Sequence, residues 1–479
     1  MNCLACDLGA ESGRLMIGRI ERERLSIEEV HRFSNVPVQI DGSLCWSIDA
    51  LWSELQNGLR KAAALKVPIT SISADSWGLD YVLLDEHDKI MEPTFHYRDA
   101  RTAQGVENMR ARMEWPGLFA ETGIQFMPFN TVYQLAAEAP DRLKRARKLL
   151  LIGDAFNWLL SGVAKTEESL ASTSAIYDPR MGDWSTKVIE ALGVTPEIFT
   201  PIVPSGTKLG PLRVTPGLEG VEVIASCSHD TGAAVAAVPA SARLWAYISS
   251  GTWSLMGVEA TQPVLTDLCR ELNCTNEIGY GGTVRLLKNI VGLWIVQECR
   301  RQWGRQGRDY DYTTLTKMAD EAPAGGPLIN PADSRFVAPG DMPERIAKYC
   351  VETGQMPPDG VGETIRCALE SLALQYRKTL RELERLTGTC IEQLHIVGGG
   401  SQNRLLNQFT ANATGIPVIA GPTEATAIGN VLVQAIATGE LDSLQAAREL
   451  VRRSFEVITF EPREQERWNA AAETFAKLK

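Results

Sequence analysis

A chain of 479 residues is too long for one ordinary hydrophobic core, so two domains of roughly 200–250 residues each are expected. With 44% hydrophobic and 22% charged residues, the composition is that of a globular protein and excludes a disordered or low-complexity chain. Lys and Arg number 48 against 59 Asp and Glu, a net charge of −11 that no basic stretch offsets, so binding to a nucleic-acid backbone is not expected.

The opening MNCLACDLGAESGR has no basic segment followed by an apolar one, and no apolar run nears the ~20 residues of a membrane span. A cytoplasmic protein with reduced thiols is expected. Leu4–Leu8 reads as a strand, which meets a turn of small and polar residues from Gly9 to Gly13 and returns as the strand Arg14–Ile20. No helix follows these glycines and no Lys-Ser/Thr pair is present, which excludes both the Rossmann fingerprint and the Walker A loop. Cys3 and Cys6 lie three apart in that strand and point to opposite faces, so they do not read as a metal site. The five histidines, at 31, 87, 96, 229 and 395, form no zinc pattern.

Ile69–Ala74 and Tyr81–Asp85 read as further strands, and the alternation of strands with helical periodicity predicts an α/β protein. Val221–Ala225 reads as a strand, Ser226 to Gly232 as a polar cluster, and Ala233–Val238 as a helix. A parallel sheet presents ligand-binding groups at such strand ends. The run Leu244–Gly257 again reads strand, small-residue turn, strand, about half the chain after the first, which suggests a weak internal duplication. From Thr364 to Leu386 apolar residues recur at helical spacing, with Gly388 as terminator. Leu394–Val397 reads as a strand, Gly398-Gly399-Gly400 as a turn, Asn403–Ala413 as a helix, and Gly421-Pro422 as a second turn before the helix Thr423–Ala437.

Turns of small residues let backbone N–H groups approach phosphate, and two of them, one per half, suit a nucleotide. Asp7 is placed to meet a phosphate-bound Mg²⁺ through water, and Ser12, Arg14 and Thr252 add donors; the plain alternative is that Asp7 and Ser12 only close a turn. Ser228, His229 and Asp230 cannot form a hydrolase triad, because chain neighbours are not expected to point at one another. Asp230 is then either a helix cap or a base that accepts a substrate hydroxyl proton late in phosphoryl transfer. Asp75 and Asp80, five apart, would point to opposite faces of one strand, which argues against a paired-carboxylate glycosidase. The clusters Asp75–Tyr81, His96–Arg101 and Phe129–Thr131 mix aromatic and hydrogen-bonding side chains as sugar sites do.

Taken together, Asp7–Arg14, Asp75–Asp80, Tyr97–Arg101, Ser228–Thr231, Ser249–Gly257, Leu287–Trp294, His395–Gly400 and Ala420–Ala425 resemble the FGGY carbohydrate kinases, in order and from the first residues to about 460. The resemblance implies two ribonuclease-H-like domains of the actin and hexokinase type around a central cleft. It divides the chain into 1–236 for sugar and phosphate and 237–479 for ATP. It further implies ATP and Mg²⁺, and transfer of the γ-phosphate to the 1-hydroxyl of L-rhamnulose, with no nucleic-acid or membrane partner. A kinase for another ketose such as L-fuculose, or a non-catalytic actin-like ATP-binding protein, are the alternatives. Carried across by position, Asp230 is the catalytic base, and Ala10, Glu11, Ser12, Gly13, Arg14, Thr252, Asn289, Gln297 and Gly399 contact ATP. Gly78, His229, Asp230 and Thr231 are expected at the sugar, and Asp7 at the metal. Glu11 stands where the family often has a small residue. Family members sometimes carry cysteine pairs, and Cys350 and Cys367 are correspondingly placed, with any disulfide left open.

Overall fold

The computed structural model describes residues 1–478. The chain forms two compact α/β units, Met1–Pro239 with Glu259–Leu286 and Ala425–Ser454, and Ala240–Val258 with Leu287–Glu424 and the C-terminal residues from Phe455.

The first unit is built on six strands: β1 (Asn2–Leu8), β2 (Ser12–Glu21), β3 (Arg24–Ser34), β4 (Ser71–Ser76), β5 (Thr207–Pro211) and β6 (Glu222–Ala225), in the sheet order β5-β6-β4-β1-β2-β3. The expected hairpin is β1 with β2, closed by a tight turn in which Gly9 N–H donates to Ser12 O at 3.0 Å. β4 runs parallel to β1 and brings Asp75 level with Asp7. Register neighbours in adjacent strands point to the same face, so both carboxylates leave the sheet on one side. β1 and β4 are buried along almost their whole lengths, as strands covered on both faces must be. The cover comes from the helices Ile152–Ser161 and Ala425–Ala437, the second of which also packs along Asp230–Ala236.

The second unit holds six neighbouring strands of a seven-stranded sheet: β7 (Trp245–Ser250), β8 (Trp253–Ala260), β9 (Val284–Val291), β10 (Gln393–Val397), β11 (Val418–Ala420) and β12 (Ile458–Phe460), in the order β9-β8-β7-β10-β11-β12. Its longest helix, Gly360–Thr387, ends at Gly388 in the left-handed conformation, as the terminator reading requires. Asn403 caps the helix Arg404–Thr414 by accepting the Leu406 N–H at 3.0 Å.

The suspected duplication is visible in topology. Reading β3-β2-β1-β4-β6-β5 against β9-β8-β7-β10-β11-β12, each sheet has an antiparallel hairpin. Two parallel pairings follow it. Each sheet then closes with an antiparallel edge. The edge strand precedes its partner in the first unit and follows it in the second, so the connections have diverged while the strand pattern has not.

One expectation is corrected. Asp75 is the last residue but one of β4, and Asp80 lies beyond the strand, past a bend in which Leu79 takes a φ of 81°, so the two never share a strand. Cys350 and Cys367 are free and buried, with their thiols in hydrogen-bonding contact.

Candidate active site

In the first unit the polar groups gather at the ends of β1, β4 and β6. Asp7 pairs in register with Arg14, whose guanidinium donates to its carboxylate. The expected phosphate donor Arg14 and the expected metal partner Asp7 are therefore joined to each other. Asp75 is fully buried; Oδ2 accepts from Asn430 Nδ2 at 2.5 Å, and Oδ1 has no partner. Burial, with the Asp7 charge beside it, drives the Asp75 carboxyl well above the usual carboxylate range. Of the turn residues, Gly13 is buried, Ala10 and Ser12 are half-buried and Glu11 is exposed.

The segment after β6 is held by its backbone. Glu167 Oε2 accepts the Ser228 N–H at 3.0 Å, Ser169 Oγ accepts the His229 N–H at 3.1 Å, and Ser228 O accepts the Ser76 N–H at 2.8 Å. This places His229 at the N-cap and Asp230 as the first residue of the helix Asp230–Ala236. His229 Nε2 lies 3.4 Å from Asp230 Oδ1, so these chain neighbours do meet, contrary to the geometric expectation. They meet because the cap residue is extended and the next is helical, which turns both side chains to one side. The Ser228 hydroxyl does not join them; it points to Ser226 O at 3.5 Å, and the exclusion of a hydrolase triad stands. Thr231 Oγ1 donates to Asp230 Oδ1 at 3.2 Å. The Asp230 side chain keeps 31% of its surface open. The surrounding protein still strips enough water to push its carboxyl up, with His229 opposing the rise and Asp7 reinforcing it.

Gly78 faces this pair. A methyl group added there would sit 3.2 Å from Thr173 Oγ1 and 3.4 Å from His229 Nε2, so the missing side chain leaves room in front of the imidazole. Behind it, Asp80 is buried and accepts from Trp46 Nε1 at 2.6 Å, Trp77 Nε1 at 3.0 Å and Gln134 Nε2 at 2.8 Å. Burial raises the Asp80 carboxyl to about 6 against the pull of these N–H groups. The same aspartate thereby fixes a run of rings: Trp46 stacks on His96 at 4.1 Å, His96 meets Tyr97 at 4.5 Å, and Tyr97 meets Phe129 at 5.6 Å. Burial holds His96 neutral, down at about 4.

Two charged residues that the motifs did not single out lie behind His229. Arg285 Nη2 is 3.1 Å and Glu277 Oε2 3.3 Å from His229 Nδ1, and the two ions are 3.2 Å apart. An arginine inside the apolar strand Val284–Val291 was the available signal.

In the second unit the turn between β7 and β8 is the meeting point. Thr252 O accepts N–H groups from Gly292 at 3.2 Å and Trp294 at 3.1 Å, and Gly251 O accepts from Leu293 at 3.2 Å. Methyl groups added at Gly398 and Gly400 would come within 3.0 Å and 2.0 Å of Ser250, while Gly399 has open space on that side. The glycines thus let the 398–400 turn lie directly on the hairpin. Gln297, on the helix Trp294–Arg305, buries Oε1 without a partner, and Asn289 lies on β9 three residues before Gly292. The Gly398–Gly400 turn therefore lies against this hairpin, and the helix that carries Gln297 begins on it. Among the described residues, no group of three or more His, Cys, Asp or Glu side chains is arranged to hold a metal ion, and no helix is long and apolar enough to cross a membrane.

The two units thus share one strand pattern, each with a small-residue hairpin. Residues 2–237 match the N-terminal domain and 246–438 the C-terminal domain of the FGGY family of carbohydrate kinases. The chain belongs to that family. It is 43% identical to a rhamnulokinase from Bacteroides thetaiotaomicron over 98% of both chains, and 40% identical to one from Bacillus subtilis over 97% of this chain and 96% of that one. Among solved structures it is similar to a xylulose kinase from Lactobacillus acidophilus, with a TM-score of 0.81 at 13% identity over 99% of this chain and 97% of that one. A glycerol kinase from Plasmodium falciparum, solved with ADP, gives 0.77 at 15% identity over 99% and 98%.

Proposed function

We propose that this protein is a cytoplasmic kinase that uses ATP and Mg²⁺ to phosphorylate the 1-hydroxyl of L-rhamnulose, giving L-rhamnulose 1-phosphate and ADP. The observation that carries the reading is the near-complete overlap, at 38–43% identity, with curated rhamnulokinases. The residues present suit the chemistry. Asp230 accepts the proton of the attacking hydroxyl. A carboxylate is too weak a base to remove that proton beforehand, so the transfer comes late, as the bond to phosphorus forms. His229 and Thr231 orient Asp230, and the space at Gly78 admits the sugar beside them. Of that run of rings, the half-buried Tyr97 and Phe129 offer apolar faces to the methyl end of a 6-deoxy sugar, with Trp46 and His96 buried behind them.

By the family resemblance, Ala10–Arg14 in the first unit and Thr252, Asn289, Gln297 and Gly399 in the second are assigned to the nucleotide. The orphaned Gln297 Oε1 supports this assignment, because a buried acceptor left unmet normally has a ligand or water to satisfy it. When bound, Mg²⁺ would supply neutralisation of phosphate charge. The donor set suits an ion brought on the phosphates and reached by Asp7 through water, since magnesium is commonly held by one or two carboxylates and retained waters.

Two measurements test the assignment. Purified protein with Mg·ATP, offered a panel of ketoses, is expected to prefer L-rhamnulose in kcat/KM; equal or better use of L-fuculose would sink the substrate claim. Gly78→Ala is expected to raise the KM for the sugar about tenfold, as one misplaced methyl group does in a tight site. The KM for ATP and the melting temperature should stay near wild type, and an unchanged sugar KM would remove Gly78 from the sugar site.

A further inference from the structure

Arg285 and Glu277 carry charge inside the first unit, and nothing in the proposed chemistry uses them. Arg285 is fully buried and Glu277 is 5% exposed. Charges buried this deeply are costly unless paired, and truncating one member of such a pair exposes the other to the full desolvation penalty. Both are fixed. Arg285 Nε donates to Ile278 O at 3.2 Å, and the carboxyl of Glu277 is held below its usual range because the Arg285 charge, with His229 beside it, outweighs the effect of burial.

Their common neighbour is His229 Nδ1. A guanidinium has only donors and does not give up its proton, so Arg285 Nη2 at 3.1 Å requires a lone pair on Nδ1. Glu277 Oε2, at 3.3 Å, makes no aligned hydrogen bond to that nitrogen and serves as counter-ion to Arg285. A neutral ring with its lone pair at Nδ1 carries its proton on Nε2. Nε2 faces Asp230 Oδ1 at 3.4 Å and the space in front of Gly78.

Resting on the reading of Asp230 as the base, we infer that Arg285, with Glu277 as counter-ion, is a positioning residue that holds His229 as its Nε2–H tautomer, so that the ring presents an N–H to Asp230 and to the sugar. Without Arg285, Glu277 becomes the nearest partner of Nδ1 and takes a hydrogen bond from it. The proton then sits on Nδ1, and a lone pair on Nε2 faces a carboxylate. Asp230 then keeps only the Thr231 hydroxyl as a donor and loses the N–H that faces it 3.4 Å away, although no atom of Asp230 or His229 has been changed.

The tautomer can be read directly, because five histidines make selective ¹⁵N-histidine labelling tractable in the full-length chain. Assignment uses His229→Gln as the blank. Wild type is expected to give a pyridine-like Nδ1 and a pyrrole-like Nε2. Arg285→Met is expected to exchange these signatures and to lower kcat roughly tenfold, the effect of one misdirected hydrogen bond, with the KM for ATP unchanged. Arg285→Lys, which keeps a buried positive donor, should restore part of both. Should Arg285→Met fail to fold, Arg285→Met with Glu277→Gln removes both charges together and should give mixed tautomers and a reduced kcat. A folded variant of either kind that keeps the wild-type tautomer, or changes it without loss of kcat, overturns the inference. The resting-state spectrum does not depend on turnover. Failure of Asp230 as the base would instead appear as wild-type turnover in Asp230→Asn.

Discussion

Asp230→Asn is expected to lower kcat by roughly 10²–10⁴-fold, the usual worth of a positioned general base, while ADP binds as it does to the wild type. The substitution keeps the shape of the side chain and its contact with Thr231 but removes the acceptor for the hydroxyl proton. Two further readouts separate this role from a cap. Burial raises the Asp230 carboxyl, so the wild-type rate should fall as pH drops through that raised value, and the residual rate of the variant should lack this acid limb. Stability should move the other way. A group that binds its proton more tightly when folded adds stability below its unfolded value and loses it as pH rises through the folded one, so at neutral pH the ionised Asp230 works against folding. The melting temperature of Asp230→Asn should therefore be no lower than wild type at pH 7. Wild-type turnover, or a large loss of stability without loss of rate, would mark Asp230 as a structural residue of the helix start, beside the N-cap His229.

Local features of the fold were legible in the sequence and distant ones were not. The hairpin of β1 and β2, the helix ending at Gly388 and the polar cluster after β6 each announce themselves within a dozen residues, through turn chemistry, periodicity and a glycine terminator. The duplication was faint, because only the hairpins repeat in sequence, whereas the matching order of the other strands is a property of pairing. Asn430, which bonds Asp75 from 355 positions away, and Arg285, which meets His229 across 56, lie in no motif and become site neighbours only through packing. The contact between His229 and Asp230 fell outside a rule that assumes regular geometry, and the site lies where an extended residue passes into a helix.

That packing gives the second large effect. Gly429→Ala is expected to cost roughly 3 kcal/mol, the upper part of the range for overpacking a close-fitted interior. At ~2–4 °C per kcal/mol, the melting temperature should fall by about 6–12 °C. A methyl group at Gly429 would lie 1.7 Å from Ala233 O and 2.5 Å from its carbonyl carbon, and since these are backbone atoms no rotamer change relieves the overlap. The helices Ala425–Ala437 and Asp230–Ala236 must separate, and each is tied elsewhere. Asn430 holds Asp75, Gln434 Nε2 donates to Leu4 O at 2.9 Å, and Val433 packs with Cys227, Ala233 and Ala236. Moving the first helix breaks those bonds, while moving the second displaces Asp230, so turnover should fall together with stability. Gly304→Ala is the control: it is exposed inside the helix Trp294–Arg305 with open space around it, and alanine there should be neutral or stabilising by up to ~1 kcal/mol. A Gly429→Ala protein that melts and turns over like wild type would show that the two helices do not meet as closely as the structure has them.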